Sequence, residues 1–144
     1  MDAVTEKRPR GPWKIHFFQR HTGDDPDATT PALAYLDSVP TKVAAEIHAV
    51  LTAVAEAPPP AFSGGGKWEA MHGAMAGLYE IRVQGGGRNH RLFCLLDRGD
   101  DLDGPSIVCV DGLSKPPRQA ANDRDYRRVK RFADEFQTRR TVLE

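Results

Sequence analysis

The feature that most constrains the fold is a series of three apolar runs in the second half of the chain, separated by short polar connections. The first run alternates apolar and polar residues, which is the period of a β-strand, and the second is apolar on both faces, as a central strand is. Glycines 85–87 and the acidic segment 97–105 join the runs, and such short connections predict antiparallel neighbours. The three runs are residues 78–84 (LYEIRVQ), 91–96 (RLFCLL) and 106–110 (SIVCV).

The remaining chain predicts one earlier strand and three helices. Residues 13–18 (WKIHFF) alternate and then become aromatic, which indicates a strand. Residues 30–37 begin with Thr-Pro, a typical helix start, and a second helix is expected from residues 38–41 to the prolines at 58–60. A last helix is expected from near Asn122, where apolar residues recur at helical spacing.

The order of these elements predicts an α+β fold. With residues 67–72 as a further short strand, we expect an antiparallel sheet of about four to five strands with the helices gathered on one face. The helices would be two N-terminal helices that share one face and a C-terminal helix. A chain of 144 residues suits one domain. We expect a disordered tail at 1–12, a single domain at 13–138 and a C-terminal tail at 139–144.

Several features predict a cytoplasmic protein. The first twelve residues are charged and lack the apolar core of a signal peptide, and no apolar stretch approaches the length of a membrane span. Cys94 and Cys109 lie in apolar runs, so we expect two buried free thiols rather than a disulfide. No membrane partner is expected.

The formal net charge is zero, but the charges are unevenly distributed. Residues 1–65 carry a net charge of −2, whereas residues 115–140 carry nine basic and four acidic side chains, a net of +5. A phosphate-rich partner would bind first at such a cluster. The alternative is a solvated helix face with ion pairs four residues apart, such as Asp123 with Arg127.

Motifs for phosphate loops and metal sites fail on spacing. Residues 64–67 (GGGK) lack the Ser or Thr that would ligand magnesium, because Trp68 follows the lysine. The acidic segment 97–105 lacks the ligand spacing of a calcium loop, and the histidines and cysteines lack the spacing of a zinc site. We therefore expect no metal and no cofactor.

Basic side chains gather where two predicted strands meet. If the first two apolar runs form a hairpin, Arg82, Arg88 and Arg91 converge beside its turn, and a following loop with Lys115 and Arg118 reaches the same end of the sheet. Convergent guanidinium groups suit phosphate oxygens. For Arg82, a salt bridge with Glu80 is an equal alternative.

Three segments in this order, followed by a basic helix, resemble the RelE/ParE superfamily of toxins from type II toxin–antitoxin systems, and most of all its HigB-like, phage-derived branch. They are GLYEIR (77–82), NHRLFCLL (89–96) and SIVCVDGLSKPPR (106–118). The resemblance implies a RelE-like domain that cuts mRNA on the ribosome without a metal, the RNA 2′-hydroxyl attacking the scissile phosphate and translation and growth being inhibited. It also implies a cognate antitoxin, expected to be a small helix-turn-helix protein.

The resemblance also implies roles for individual residues. Arg91 would contact the scissile phosphate, Arg118 would stabilise the transition state, and Tyr126 would stack on a base or assist proton transfer, although Tyr126 also fits the buried stripe of its helix. His90 is a candidate for acid–base chemistry, whereas His72 is better explained as structural. The expected catalytic residues are Arg91, Arg118, Lys115, Arg82, His90 and Tyr126, and the expected RNA contacts are Arg88, Lys67, Arg124, Arg127 and Arg128.

Two other functions remain open from the sequence. One is a ParE-like toxin that poisons gyrase without nuclease activity, and the other is a degenerate, non-enzymatic binding module of the same fold. Glu80 stands where the ribonuclease branch often has a basic residue, and Pro116 and Pro117 replace a usual lysine. Glu80 and the weak match of Tyr126 to the family's tyrosine favour the binding module.

Overall fold

A computed structural model of the chain describes residues 12–57 and 66–144. Over these ranges the chain forms an α+β domain with five strands and three α-helices. In chain order the elements are β1 (Lys14–Phe17), α1 (Pro31–Ser38), α2 (Thr41–Glu56), β2 (Trp68–Ala70), β3 (Leu78–Gly85), β4 (Arg88–Asp97), β5 (Ser106–Lys115) and α3 (Asp123–Arg139). The predicted tail at 1–12, apart from Pro12, lies outside the described residues, as do the prolines at 58–60.

The helices begin where the sequence predicts them. Pro31 occupies the first turn of α1, and α2 follows Pro40 with a buried stripe that includes Ile47 and Leu51. Helix α3 starts with a capping box, in which the Asn122 side chain accepts from the Asp125 backbone N–H and the Asp125 carboxylate accepts from that of Asn122. Within the described ranges, no helix combines the length and the apolar character that crossing a membrane requires.

The sheet is mixed, and the prediction of a wholly antiparallel sheet is therefore wrong. Its strand order is β1-β5-β4-β3-β2, with β1 parallel to β5 and every other pair antiparallel. The chain leaves β1 through α1 and α2 and reaches β5 only after three further strands. No tight turn joins β1 to β5, so the hairpin argument that holds for β3, β4 and β5 does not apply to β1.

Helices cover both faces of the sheet. The two N-terminal helices share one face, as predicted, but the last helix lies on the other, so the prediction that all the helices gather on one face is wrong. Helices α1 and α2 pack on a face that includes Ile81, Leu92 and Cys109. Helix α3 packs on the opposite face, against Phe93 and Val110 among others. Strand β4 is apolar on both faces along its middle, and each apolar face requires a cover.

Strand β5 continues past the residues predicted as its end. It runs to Lys115, so Lys115 is a strand residue rather than the loop residue predicted from the sequence. Gly112 permits this extension, because a Cβ atom there would collide with the ring of Tyr35 from α1. A register shift opposite Phe93 and Cys94 accompanies it.

The residues after α3 are held against the domain. Arg140, in the left-handed conformation at the helix end, donates to the carboxylates of Asp97 and Asp101. Val142 pairs with Phe18 in an isolated antiparallel bridge. The segment predicted as a C-terminal tail therefore begins inside α3 and is bound to the edge of β1. The two thiols are buried and free, with their Sγ atoms 4.0 Å apart.

Candidate functional site

Two arginines lie side by side on the sheet face that α3 covers. The β3–β4 register places Arg82 directly opposite Arg91. Glu80 points to the same face because it lies two residues before Arg82 on the same strand. Helix α3 brings Tyr126 over this point. We call Glu80, Arg82, Arg91 and Tyr126 the guanidinium cluster.

The contacts inside the guanidinium cluster are long and mostly ionic. Arg91 Nη1 donates to the Tyr126 hydroxyl at 3.3 Å. Glu80 Oε1 lies 3.5 Å from Arg91 Nη1 and 3.4 Å from Arg82 Nε. That oxygen is buried and accepts no hydrogen bond from the described residues. The Tyr126 ring meets Phe93 edge-on, with 6.4 Å between ring centroids, which fixes where the hydroxyl lies.

The cluster therefore keeps hydrogen-bond donors available. Within the described part of the chain, the Arg82 side chain donates no hydrogen bond and the Arg91 side chain donates one. Two guanidinium groups against one carboxylate leave a formal charge of +1. Arg82 is half exposed, and a groove of about 520 Å³ has Lys67, Arg82, Asn89 and Arg91 in its lining, together with His90 and the acid Glu46, whose charge Lys67 offsets. An anion in this groove meets the unused donors.

Lys115 lies on the same face, but an acid partner compensates its charge. It pairs across the strands with Asn89, and its Nζ lies 3.0 Å from Asp125 Oδ2. Hydrogen bonding from the Asn122 backbone, assisted by Lys115, lowers the pKa of the Asp125 carboxyl. Arg118 lies exposed between β5 and α3, and no ion pair joins it to any other described residue. Of these two predicted catalytic residues, Arg118 has the charge that is free.

His90 lies on the opposite face, although it precedes Arg91 in sequence. It is 2% exposed, and its Nε2 lies 2.9 Å from the carbonyl oxygen of Gly85, to which it donates. Its Nδ1 lies 2.7 Å from Ser114 Oγ, which in turn lies 2.9 Å from the Tyr35 hydroxyl. Burial raises the pKa of Tyr35. We call His90, Ser114 and Tyr35 the histidine network. It joins α1 to β4 and β5. Although His90 also lines the groove, no hydrogen bond or ion pair among the described residues links the histidine network to the guanidinium cluster.

The residues predicted to contact RNA divide into paired and unpaired groups. Lys67 Nζ lies 3.5 Å from Glu46 Oε2, and Arg88 donates to the Ser114 carbonyl oxygen. Arg128 donates to Asp111 Oδ2 at 2.8 Å and to the carbonyl oxygen of Gly112. Arg124 and Arg127 are exposed on the outer side of α3, as is His72 beyond β2. The structure thus assigns Arg128 a packing contact and leaves Arg124 and Arg127 facing solvent.

Two buried carboxylates have contacts that the sequence analysis does not predict. Strand alternation places Glu80 on the face of Arg82 and Arg91, but only its contact with Arg82 is predicted. Asp111 is 4% exposed, and burial raises its pKa despite the opposing effect of Arg128. Nothing in the sequence indicates the Asp111–Arg128 contact, because it depends on where α3 crosses β5.

The described residues contain no group of three or more His, Cys, Asp or Glu side chains placed to hold a metal ion. Comparison with protein-family models, with curated proteins and with solved structures finds no match to this chain.

Proposed function

We propose that this chain is a metal-independent endoribonuclease of the RelE-like toxin type, the toxin of a type II toxin–antitoxin system that cuts mRNA on the ribosome in the cytoplasm. One observation carries the proposal: Arg82 and Arg91 lie opposite each other with unused donors, beside the Tyr126 hydroxyl. Fixed donors aimed at a phosphate can stabilise the charge that develops during cleavage.

In the proposed reaction, the 2′-hydroxyl of the RNA gives its proton to solvent water, its oxygen attacks the adjacent phosphorus, and the bond from phosphorus to the 5′-oxygen breaks. The products are a 2′,3′-cyclic phosphate and a 5′-hydroxyl. The non-bridging oxygens gain negative charge, and Arg91 and Arg82 would donate to them. Because Tyr126 accepts from Arg91, its own O–H proton remains available for the leaving 5′-oxygen, and the phenolate left behind regains a proton from solvent water.

The placement of the other residues refines their roles. His90 is assigned to holding β4 and β5 together, because both ring nitrogens are occupied on the other face. Lys115 is assigned to anchoring the start of α3 through Asp125. Arg118 is free to reach a phosphate, as the resemblance implies. Arg88 and Lys67 lie near the groove, and Arg124 and Arg127 offer exposed charge to the ribosome.

The test is the purified full chain and its induction in bacteria, with Arg91→Ala and the milder Arg91→Lys. We expect Arg91→Ala to lower RNA cleavage by about 10²–10³-fold and to abolish growth arrest. Arg91→Lys keeps the charge but loses the planar fork, so its cleavage should also fall well below that of the wild type. Cleavage is read by mapping 5′-hydroxyl RNA ends after induction.

Arg98→Ala is the matched control, because Arg98 is exposed in the connection between β4 and β5. It should arrest growth as the wild type does. If Arg91→Ala cleaves RNA as fast as the wild type, the guanidinium cluster is not the catalytic site. Growth arrest with DNA damage but no new RNA ends would indicate gyrase poisoning, and harmless expression would indicate a binding module.

A further inference from the structure

Glu80 is a buried carboxylate that its surroundings leave incompletely satisfied. The residue is 8% exposed, and its Oε1 accepts no hydrogen bond from the described residues, although two guanidinium nitrogens lie within 3.5 Å. Buried acceptors normally have a hydrogen-bond partner, and an exception asks for an explanation. Poor alignment, rather than distance, separates this oxygen from its neighbours.

The sheet register creates the need for a negative charge here. Arg82 and Arg91 are direct cross-strand partners, and like charges in that position destabilise a sheet. Glu80 lies on the same face, opposite Phe93, and its Oε1 reaches both arginines. One carboxylate therefore offsets the repulsion between two guanidinium groups that no other described acid contacts.

Three other arginines, Arg20, Arg128 and Arg140, bind their acids through short hydrogen bonds. Arg20 donates to both oxygens of Glu135 at 2.9 Å, and Arg128 donates to Asp111 at 2.8 Å. The N–H groups that make these contacts are not available to a ligand. Glu80 attracts its two arginines by charge alone, so their N–H groups remain available to hydrogen-bond a ligand. This arrangement suits a positioning role better than a purely structural one.

We infer that Glu80 is a positioning residue that fixes the paired guanidinium groups of Arg82 and Arg91 for the transition state at the expense of ground-state RNA binding. The inference rests on the proposed nuclease function. A carboxylate beside the phosphate repels the substrate and repels the more negative transition state still more. Glu80 can therefore favour the reaction only through the alignment that it gives the two guanidinium groups, whose attraction for the phosphate oxygens grows as the charge on those oxygens increases. Only interactions that strengthen in the transition state accelerate the reaction.

The test is Glu80→Gln in the full chain, which keeps the shape and removes the charge. At saturating RNA we expect turnover to fall by about 10²-fold, the order expected when catalytic groups lose their alignment. Affinity for a 2′-O-methyl oligoribonucleotide, which cannot react, should instead rise severalfold at low salt and lose this gain at high salt. Glu80→Asp, which keeps the charge, should restore part of the turnover. Glu56→Gln, an exposed carboxylate on α2, is the matched control and should change neither quantity.

A second measurement does not depend on cleavage. In NMR spectra, the Nε–Hε signals of Arg82 and Arg91 should be sharp in the wild type and broadened or shifted in Glu80→Gln. Unchanged signals and unchanged turnover would overturn the inference, and so would a parallel loss of binding and turnover with a lower melting temperature.

If Arg91→Ala is inactive but Glu80→Gln cleaves RNA as the wild type does, the inference fails and the proposed nuclease function stands. If the wild type cuts no RNA but the signals change, the nuclease fails and the ordering of the arginines stands.

Discussion

The two faces of the sheet differ in how fully their buried polar side chains are hydrogen-bonded. On the face under α1 and α2, His90 has partners for both ring nitrogens, and Ser114 and Tyr35 complete the histidine network. On the face under α3, Glu80 Oε1 accepts no hydrogen bond from the residues that the structure describes, and the Arg82 side chain donates none to them. Buried polar groups that are fully hydrogen-bonded make a fold rigid, whereas N–H groups without an acceptor remain available to bind a ligand.

Both arrangements come from neighbouring residues of the same strands. His90 and Arg91 are adjacent on β4, and Ser114 and Lys115 are adjacent on β5, but alternation sends each pair to opposite faces. The histidine network should therefore affect stability, and the guanidinium cluster should affect function. Variants that change one face alone can separate the two roles.

The largest stability effect is expected at Gly112, which lies beneath the Tyr35 ring. The substitution Gly112→Ala forces a methyl group into that ring and should cost about 3 kcal/mol, the upper part of the range for overpacking. Urea denaturation measures the loss. In a Tyr35→Leu background the same substitution should cost clearly less, and an equal cost in both backgrounds would contradict the role of the ring.

A smaller effect is expected at Ser114, which links His90 to Tyr35. Ser114→Ala removes one hydroxyl and leaves a buried histidine nitrogen without its partner, at a cost of about 1–2 kcal/mol. RNA cleavage, measured at equal folded fraction, should match the wild type. Ser38→Ala, which removes an exposed serine bond to the Tyr35 carbonyl oxygen, is the control and should cost less. If Ser114→Ala lowered cleavage as Arg91→Ala does, the two faces would not be independent.

Local patterns predicted the elements of the fold well, and pairings between distant segments poorly. The Thr-Pro start of α1, the Asn122 cap of α3 and the hairpin after β3 depend on neighbouring residues, and the structure has all three. The parallel pairing of β1 with β5 has no local signal, because period-2 alternation indicates a strand but not its partner.

The candidate site shows the same division. Strand alternation and one tight turn suffice to bring Arg82 to Arg91. The extension of β5 to Lys115 could not be predicted, because Asp111 and Gly112 are poor strand formers by themselves. Asp111 is accommodated by Arg128 from α3, and Gly112 by Tyr35 from α1. Both partners are distant in sequence.

The smallest effect is expected in the pH dependence of stability at Asp111. This carboxylate lies under α3 and accepts a hydrogen bond from Arg128. Burial raises its pKa in the folded protein above the ordinary 3.8. The folded state then binds more protons than the unfolded state between these two pKa values. The contribution of Asp111 is therefore greatest below 3.8 and falls as the pH rises through the folded pKa. Relative to Asp111→Asn, the wild type should lose stability from about pH 3.5 to neutrality, as measured by urea denaturation.

Asp125 supplies the opposite slope and hence the control. Its pKa is lowered by the Asn122 backbone and by Lys115, so its contribution is present above 3.8 and is lost as the pH falls through the folded pKa. The wild type should gain stability relative to Asp125→Asn as the pH rises. Slopes of the same sign in the two comparisons would contradict the assignment of burial to Asp111. Asp111 and Glu80 both lie under α3, but only Asp111 accepts a hydrogen bond from its arginine. If the slopes are opposite and Asp111→Asn cleaves RNA as the wild type does, the hydrogen bonding of the arginine, and not its position under α3, separates structural charges from those of the guanidinium cluster.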